Sequence, residues 1–333
     1  MGRLIPDRFI LALLTAVALA SVLPARGMSA AAVSVLATAM IVLLFFLHGL
    51  RLSREAVVAG MLNWRLHLTI LAITFAAFPL LGLGLSLALP RALTPPLWLG
   101  ILFLCALPST VQSSIAFTSI AGGNVPAAVT SATASNVLGI LLTPLLVNLI
   151  AGVRGGAAPL SGIGTVVLEL LVPFVAGQLA RRWLATWGQR HRKLLSTTDR
   201  ATILVAVYSA FSAAVIAGLW HRTSVIVLVT VLALCGVLLA IVLAGTWYGA
   251  RLLGFDRADA IAIQFCGSKK TLASGVPMAR VLFAGPSLGT VLLPLMIFHQ
   301  IQLMACAWLA ARYARNRGDQ RSAAEVPIAA DID

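Results

Sequence analysis

Apolar and polar positions are segregated along this chain. Mostly apolar runs of eighteen or more residues follow one another from Arg8 to Ala311, and the arginines collect in the short stretches between them. An α-helix of about 20 residues crosses the hydrocarbon core of a bilayer with every backbone group bonded internally. The pattern therefore predicts an all-α polytopic membrane protein with ten spans, at 8–25, 29–50, 66–89, 97–121, 125–150, 161–181, 201–220, 223–250, 259–284 and 287–311. The first run looks superficially like a secretory leader. "LPARG" is a poor cleavage site and many spans follow, so it is read as a membrane helix. No soluble domain fits between spans. Residues 1–311 read as one transmembrane unit, the longest polar connection lies at about 182–200, and 312–333 is expected to be a short disordered tail.

Composition sharpens this. The 333 residues are 60% hydrophobic and 10% charged, with mean hydropathy +1.00, where a soluble domain carries about a quarter charged residues. Cys105, Cys235, Cys266 and Cys306 all fall in apolar runs and form neither a disulfide framework nor a metal-ligand spacing. The net charge of +14 raises nucleic acid as a partner, but its distribution argues against one. Seventeen of the 24 Lys and Arg residues lie at the N-terminus, in the connections after spans 2, 6 and 8, and in the tail. Five (Arg26, Arg91, Arg154, Arg222 and Arg280) lie on the other side, so the positive-inside rule puts both termini in the cytoplasm. Paired carboxylates, a His-rich metal set, a GxSxG elbow and a Walker sequence are all missing, which argues against an enzyme, a cofactor and a metal centre. The five histidines are read as structural or surface residues.

Two spans are interrupted. In "IAIQFCGSKKTLASGVPMARVLF", residues 261–283, Lys269 and Lys270 each stand ten residues from a span end, about 15 Å away along a helix. A lysine stem cannot snorkel that far, and each buried lysine costs about 2.5–3.5 kcal/mol on insertion scales. In the fourth span Pro108 precedes Ser109, Thr110, Gln112, Ser113 and Ser114. A proline frees a carbonyl, and freed groups in lipid need partners. "AGGNVPAAV" then reads as a hairpin with Asn124 as helix cap. The breaks lie five spans apart, and each is followed by a related fragment, "LTPLLVNLI" (142–150) and "LLPLMIFHQ" (292–300). Five spans per repeat make the halves inverted, and paired interrupted helices in inverted repeats are the signature of a secondary transporter.

These motifs carry a resemblance. "QFCGSKKTLASGVPMA" (264–279), "LPSTVQSSIAFTSIAGGN" (107–124) and "FFLHGLRL" (45–52) resemble the SBF-like branch of the bile acid:sodium symporter superfamily, the branch that includes solute carrier family ten, member seven, and bacterial relatives. The likeness extends over essentially the whole membrane region. It implies panel helices at about 8–50 and 161–220, core helices at about 66–150 and 223–311, helices 4 and 9 crossing at unwound centres, and location in a bacterial inner membrane. Sodium-coupled members carry an acidic residue where Gln264 stands here, and Gln-Asn-Ser-Gly where Ser268, Lys269, Lys270 and Thr271 stand. Their Ser-Asn pair in span 4 matches Ser113 and Ser114, and their span-3 Gln matches Thr74.

The expected ion and substrate site therefore draws on Thr74, Thr110, Gln112, Ser113, Ser114, Ser131, Ser135, Asn136, Gln264, Ser268, Lys269, Lys270 and Thr271. Glu169, the one acidic residue in mid-span, is a gating or proton-relay candidate that would approach a lysine. The expected substrate is a small organic anion drawn to half-helix N-termini. A lysine about 4 Å from a sodium ion repels it by about 4 kcal/mol at an effective dielectric of 20, roughly a thousandfold in affinity. Transport independent of Na+, or coupled to H+, follows. The alternative is a non-transporting membrane regulator that keeps the transporter fold.

Overall fold

The computed structural model describes residues 8–51, 63–153, 167–283, 285 and 287–324. Among these residues there are helices, turns and no strands. Apart from the short turns Val167–Leu171 and Leu219–Arg222, the helices in chain order are α1 (Arg8–Val22), α2 (Gly27–Arg51), α3 (Trp64–Ala88), α4 (Pro95–Ala106), α5 (Gln112–Ala121), α6 (Val125–Val153), α7 (Val172–Arg190), α8 (Arg192–Ile216), α9 (Val225–Leu252), α10 (Arg257–Gly267), α11 (Leu272–Leu282) and α12 (Leu288–Ala324). Six of them, α2, α3, α6, α8, α9 and α12, contain segments long and apolar enough to cross a membrane. Leu14, Val35, Leu80 and Val237 are exposed well inside their helices. Water would penalise such a surface, whereas lipid tails match it. With the family relationship given below, this makes the chain an integral membrane protein.

Two boundaries differ from the sequence reading. The polar stretch 182–200 is helical apart from a single turn at His191, where α7 ends and α8 begins. Its Arg, Lys, Gln, Leu and Trp residues are helix formers, so polarity ended the apolar run without ending the helix. For the same reason α12 runs on to Ala324, past Arg312. Arg3, Arg54, Arg154, residues 161–166 and the end of the tail, 325–333, lie outside the described residues. The hairpin at 122–125 forms as its sequence predicts: Gly122 closes α5 in the left-handed region at φ 73°, and the Asn124 side chain accepts from Ala127 N at 3.0 Å.

Close helix crossings set the frame. α2 and α7 pack along their lengths, and two glycines make this possible. A Cβ on Gly49 would overlap the Phe174 carbonyl, and one on Gly177 would overlap the Phe46 carbonyl. Gly100 of α4 likewise lets the Val291 carbonyl of α12 approach. The main core, around Trp98, Phe103, Phe211 and Phe298, ties α4, α8, α9, α11 and α12 together. It leaves the gaps 107–111 and 268–271 side by side.

Candidate ion and substrate site

Residues 107–111 between α4 and α5, and 268–271 between α10 and α11, are not helical, so helix ends meet inside the protein. The last carbonyls of a helix have no intrahelical donor, and a buried one is costly unless something else donates to it. Every carbonyl from Cys105 to Ser109 has such a donor. Cys105 O and Leu107 O accept from Lys270 Nζ at 2.8 and 2.7 Å, and Ala106 O from Thr143 Oγ1 at 2.9 Å. Pro108 O accepts from Thr271 N at 3.0 Å, and Ser109 O from Asn136 Nδ2 at 2.7 Å. The other break is treated the same way. Ser109 Oγ donates to Cys266 O at 2.5 Å and Ser114 Oγ to Phe265 O at 3.1 Å, while Ser268 Oγ turns back to Gln264 O at 2.6 Å. Ser109 and Ser114 are thus substitute donors for the end of α10, while Lys270, Thr143, Thr271 and Asn136 serve the end of α4.

Lys269 and Lys270 expose no surface (0% each) and point to different places. Lys270 Nζ donates to three carbonyls, the third being Thr74 O at 2.8 Å, and sits 4.1 Å from the Phe78 ring centroid. α3 makes Thr74 O available. Residues Ile73–Ala77 form a π-helical turn, with Phe78 N bonded to Ile73 O. In that i→i+5 register the donor for Thr74 O would be the nitrogen of Pro79, which has no hydrogen. Lys269 Nζ donates to Ser113 O at 2.8 Å and lies over the rings of Phe117 (4.0 Å) and Phe265 (5.2 Å). Both ammoniums are therefore held by carbonyl dipoles and ring faces, and among the described residues no carboxylate is paired with either. Glu169, half-buried on the π-turn before α7, has Arg280 as its electrostatic neighbour.

Beside the crossing lies a cavity of about 360 Å³. The first turns of α5 and α11 border it through Thr110, Gln112, Ser113, Thr271 and Ser274, with Asn136 of α6 between them. Across from them stand His48, Arg51, Asp199 and Arg200 from α2 and α8, and His299 of α12 also lines it. Arg51 is paired with Asp199 at 2.6 Å. Among the described residues, two helix N-termini, two arginines and two imidazoles thus border one space that holds a single carboxylate.

The sequence-predicted residues divide accordingly. Thr110, Gln112, Ser113, Asn136 and Thr271 line the cavity. Thr74, Ser114, Ser268, Lys269 and Lys270 lie in the packed crossing. Ser135 accepts from Ser109 N at 3.0 Å, and Ser131 pairs with His67 Nδ1 at 2.6 Å. Gln264 is fully engaged away from the cavity: its Nε2 donates to Leu243 O at 2.9 Å and its Oε1 accepts from Tyr313 at 2.9 Å. Sequence reasoning missed His48, Arg51, Asp199, Arg200 and His299 as cavity walls, because it counted the charges only as topology signals and the histidines as structural. It also passed over Gln302, a mid-span amide in a span with no break to advertise it.

Residues 7–315 match the SBF-like CPA transporter family. An uncharacterised protein of Pseudomonas aeruginosa is 56% identical over 327 residues, 98% of each chain. A protein of Escherichia coli strain K12 named "Putative symporter YfeH" is 52% identical over 93% of each chain, and sodium/bile acid cotransporter 7 of Rattus norvegicus is 28% identical over 91% of each. With a match over nearly its whole length and these relatives, the chain belongs to the SBF-like CPA transporter family, a family of transporters rather than enzymes.

Proposed function

We propose that the protein is a secondary transporter that moves a small organic anion by alternating access, without sodium or with proton coupling. The observation that carries this is the cavity bordered by the N-terminal turns of α5 and α11 and by Arg51, Arg200, His48 and His299. Helix N-termini present unpaired N–H groups and partial positive charge, and the arginines add full charge. A volume of about 360 Å³ suits a small molecule. In this reading α4–α5 and α10–α11 are the two broken spans of a ten-span inverted repeat, which cross in a core of about 66–150 and 223–311. The panel, about 8–50 and 161–220, supplies the opposite wall. The core rocks against it in the bacterial inner membrane, with both termini in the cytoplasm. The cavity stands at the arginine-rich ends of α2 and α8, so this conformation is inward-facing. Glu169 serves as a gate that exchanges Arg280 for a lysine in another state.

The test is uptake of labelled monocarboxylates, dicarboxylates and sulfonates into proteoliposomes, with melting of the purified protein beside each. Saturable uptake of one class, lost in Arg200→Ala with the protein still folded, is the expected result. No saturable uptake and no stabilisation by any anion would overturn the reading and leave the membrane regulator.

A further inference from the structure

The lysine that closes the crossing does more than cap a helix. Three acceptors converge on Lys270 Nζ at 2.7–2.8 Å: Thr74 O from α3, and Cys105 O and Leu107 O from the end of α4. All three are main-chain carbonyls, and the Phe78 face covers the ammonium at 4.1 Å. Carbonyl oxygens that replace hydration water are how proteins hold a dehydrated monovalent cation. An ammonium and a potassium ion are close in size and ask for the same oxygens. Two separate backbone irregularities supply these oxygens, the π-turn ahead of Pro79 and the end of α4 at Pro108. Neither carbonyl group has a helical donor to return to if the amine leaves. Main-chain oxygens at the negative end of the α4 dipole also favour positive charge specifically, beyond hydrogen bonding.

We infer that Thr74 O, Cys105 O and Leu107 O form a monovalent-cation site whose occupant is the protein's own Lys270, so that the core carries a tethered cation where a free K+, Na+ or NH4+ would otherwise bind. The charge that holds α3, α4 and α10–α11 together then travels with the protein and is never exchanged with solvent. Lys269 does not share this role, having one carbonyl and two ring faces around it. The inference deepens the sodium-independent reading above. It is read from the cation dependence of melting in a Lys270 variant, whereas the transport reading is read from anion uptake. A cation-insensitive Lys270→Ala with wild-type uptake intact therefore sinks this inference alone, and absent uptake of every anion sinks the transport reading alone.

The experiment compares the melting temperature of the full-length protein in choline, sodium, potassium and ammonium chloride at equal ionic strength. Wild type is expected to melt at one temperature in all four. Lys270→Ala, which opens the site, is expected to melt about 10 °C lower in choline. It should recover saturably with potassium or ammonium. Lys270→Met, which fills the space without charge, is expected to fall and not recover. Lys270→Ala insensitive to every cation would overturn the inference, as would Lys270→Gln matching wild type, because a neutral donor would then suffice. If Lys270→Ala cannot be purified, the wild-type arm still decides: a saturable rise with sodium or potassium would show a free-cation site and overturn the tethered one.

Discussion

The side chain of Gln302 holds both backbone groups of Lys270. Its Oε1 accepts from Lys270 N at 2.8 Å, and its Nε2 donates to Lys270 O at 2.8 Å. A peptide unit that has left its helix is paired by an amide from α12, in the manner of a neighbouring strand. Gln302 is itself fully buried, and its Nε2 also meets His299 Nδ1 at 2.9 Å. Gln302→Leu leaves two buried backbone groups without partners, at about 1–3 kcal/mol each. The expected loss is about 2–6 kcal/mol, read as a fall of the melting temperature of roughly 10 °C. Gln302→Glu keeps the acceptor for Lys270 N and loses the donor to Lys270 O, so it should fall between the two. A Gln302→Leu protein that melts with wild type would show that this pairing contributes nothing.

Gly49 and Gly177 answer one another across the α2–α7 crossing, each facing a carbonyl of the other helix. An added methyl at either must push backbone away from backbone, because no flexible side chain stands in between. Gly49→Ala and Gly177→Ala are each expected to destabilise by about 1–3 kcal/mol. The double variant should cost less than the sum, since a crossing already pried apart accommodates the second methyl. Gly245→Ala, where a Cβ meets nothing within 4 Å, is the control and should melt with wild type. Strict additivity of the pair would argue that the two positions do not share one contact.

Arg280 latches the face opposite Arg51. It donates to Ser209 Oγ at 2.7 Å, and to Ser34 O at 2.9 Å and Ser34 Oγ at 2.7 Å. Ser34 and Arg51 lie on α2 seventeen residues apart, about 25 Å of helix. The latch therefore joins α11 to α2 and α8 at one end while the cavity lies at the other. Removing about 1.4 kcal/mol of preference for the closed state multiplies the open population roughly tenfold. In a Ser34→Cys background, Arg280→Ala should raise the rate of labelling by a membrane-impermeant thiol reagent by about that factor. The four native cysteines are buried and free, so they give little background. Unchanged labelling would mean that Arg280 does not gate this face.

Orientation rests on the arginine bias. A C-terminal fluorescent fusion should glow, and a C-terminal alkaline phosphatase fusion should be inactive, because both report a cytoplasmic end. Phosphatase activity at the C-terminus would invert the topology and turn the cavity outward.

The sequence by itself determined that this chain is helical and lies in a membrane, where its two interruptions fall, and which residues are too polar to be there by accident. These properties are local. Hydropathy is summed over one helix, Pro108 disfavours helix where it stands and lies in the non-helical stretch between α4 and α5, and the cost of a buried ammonium depends on depth, which residue count measures. The tertiary structure alone decided what each polar group touches. Lys269 and Lys270 are neighbours in sequence and part company in space. One donates to Ser113 O, and the other reaches Thr74 O, 196 positions away. Thr74 was singled out for its side chain, whose hydroxyl merely donates to Ile70 O at 2.8 Å, while its carbonyl does the binding. That carbonyl is free because of a π-turn, and no residue type announces a π-turn. Gln264 stands where an acid would be expected and spends both ends of its amide on Leu243 and Tyr313. Arg51 and Arg200 read as loop charges until α2 and α8 were seen to continue past the apolar run and bring them to the cavity wall. Apolar length marks where lipid ends, and a helix ends only where its backbone bonds do.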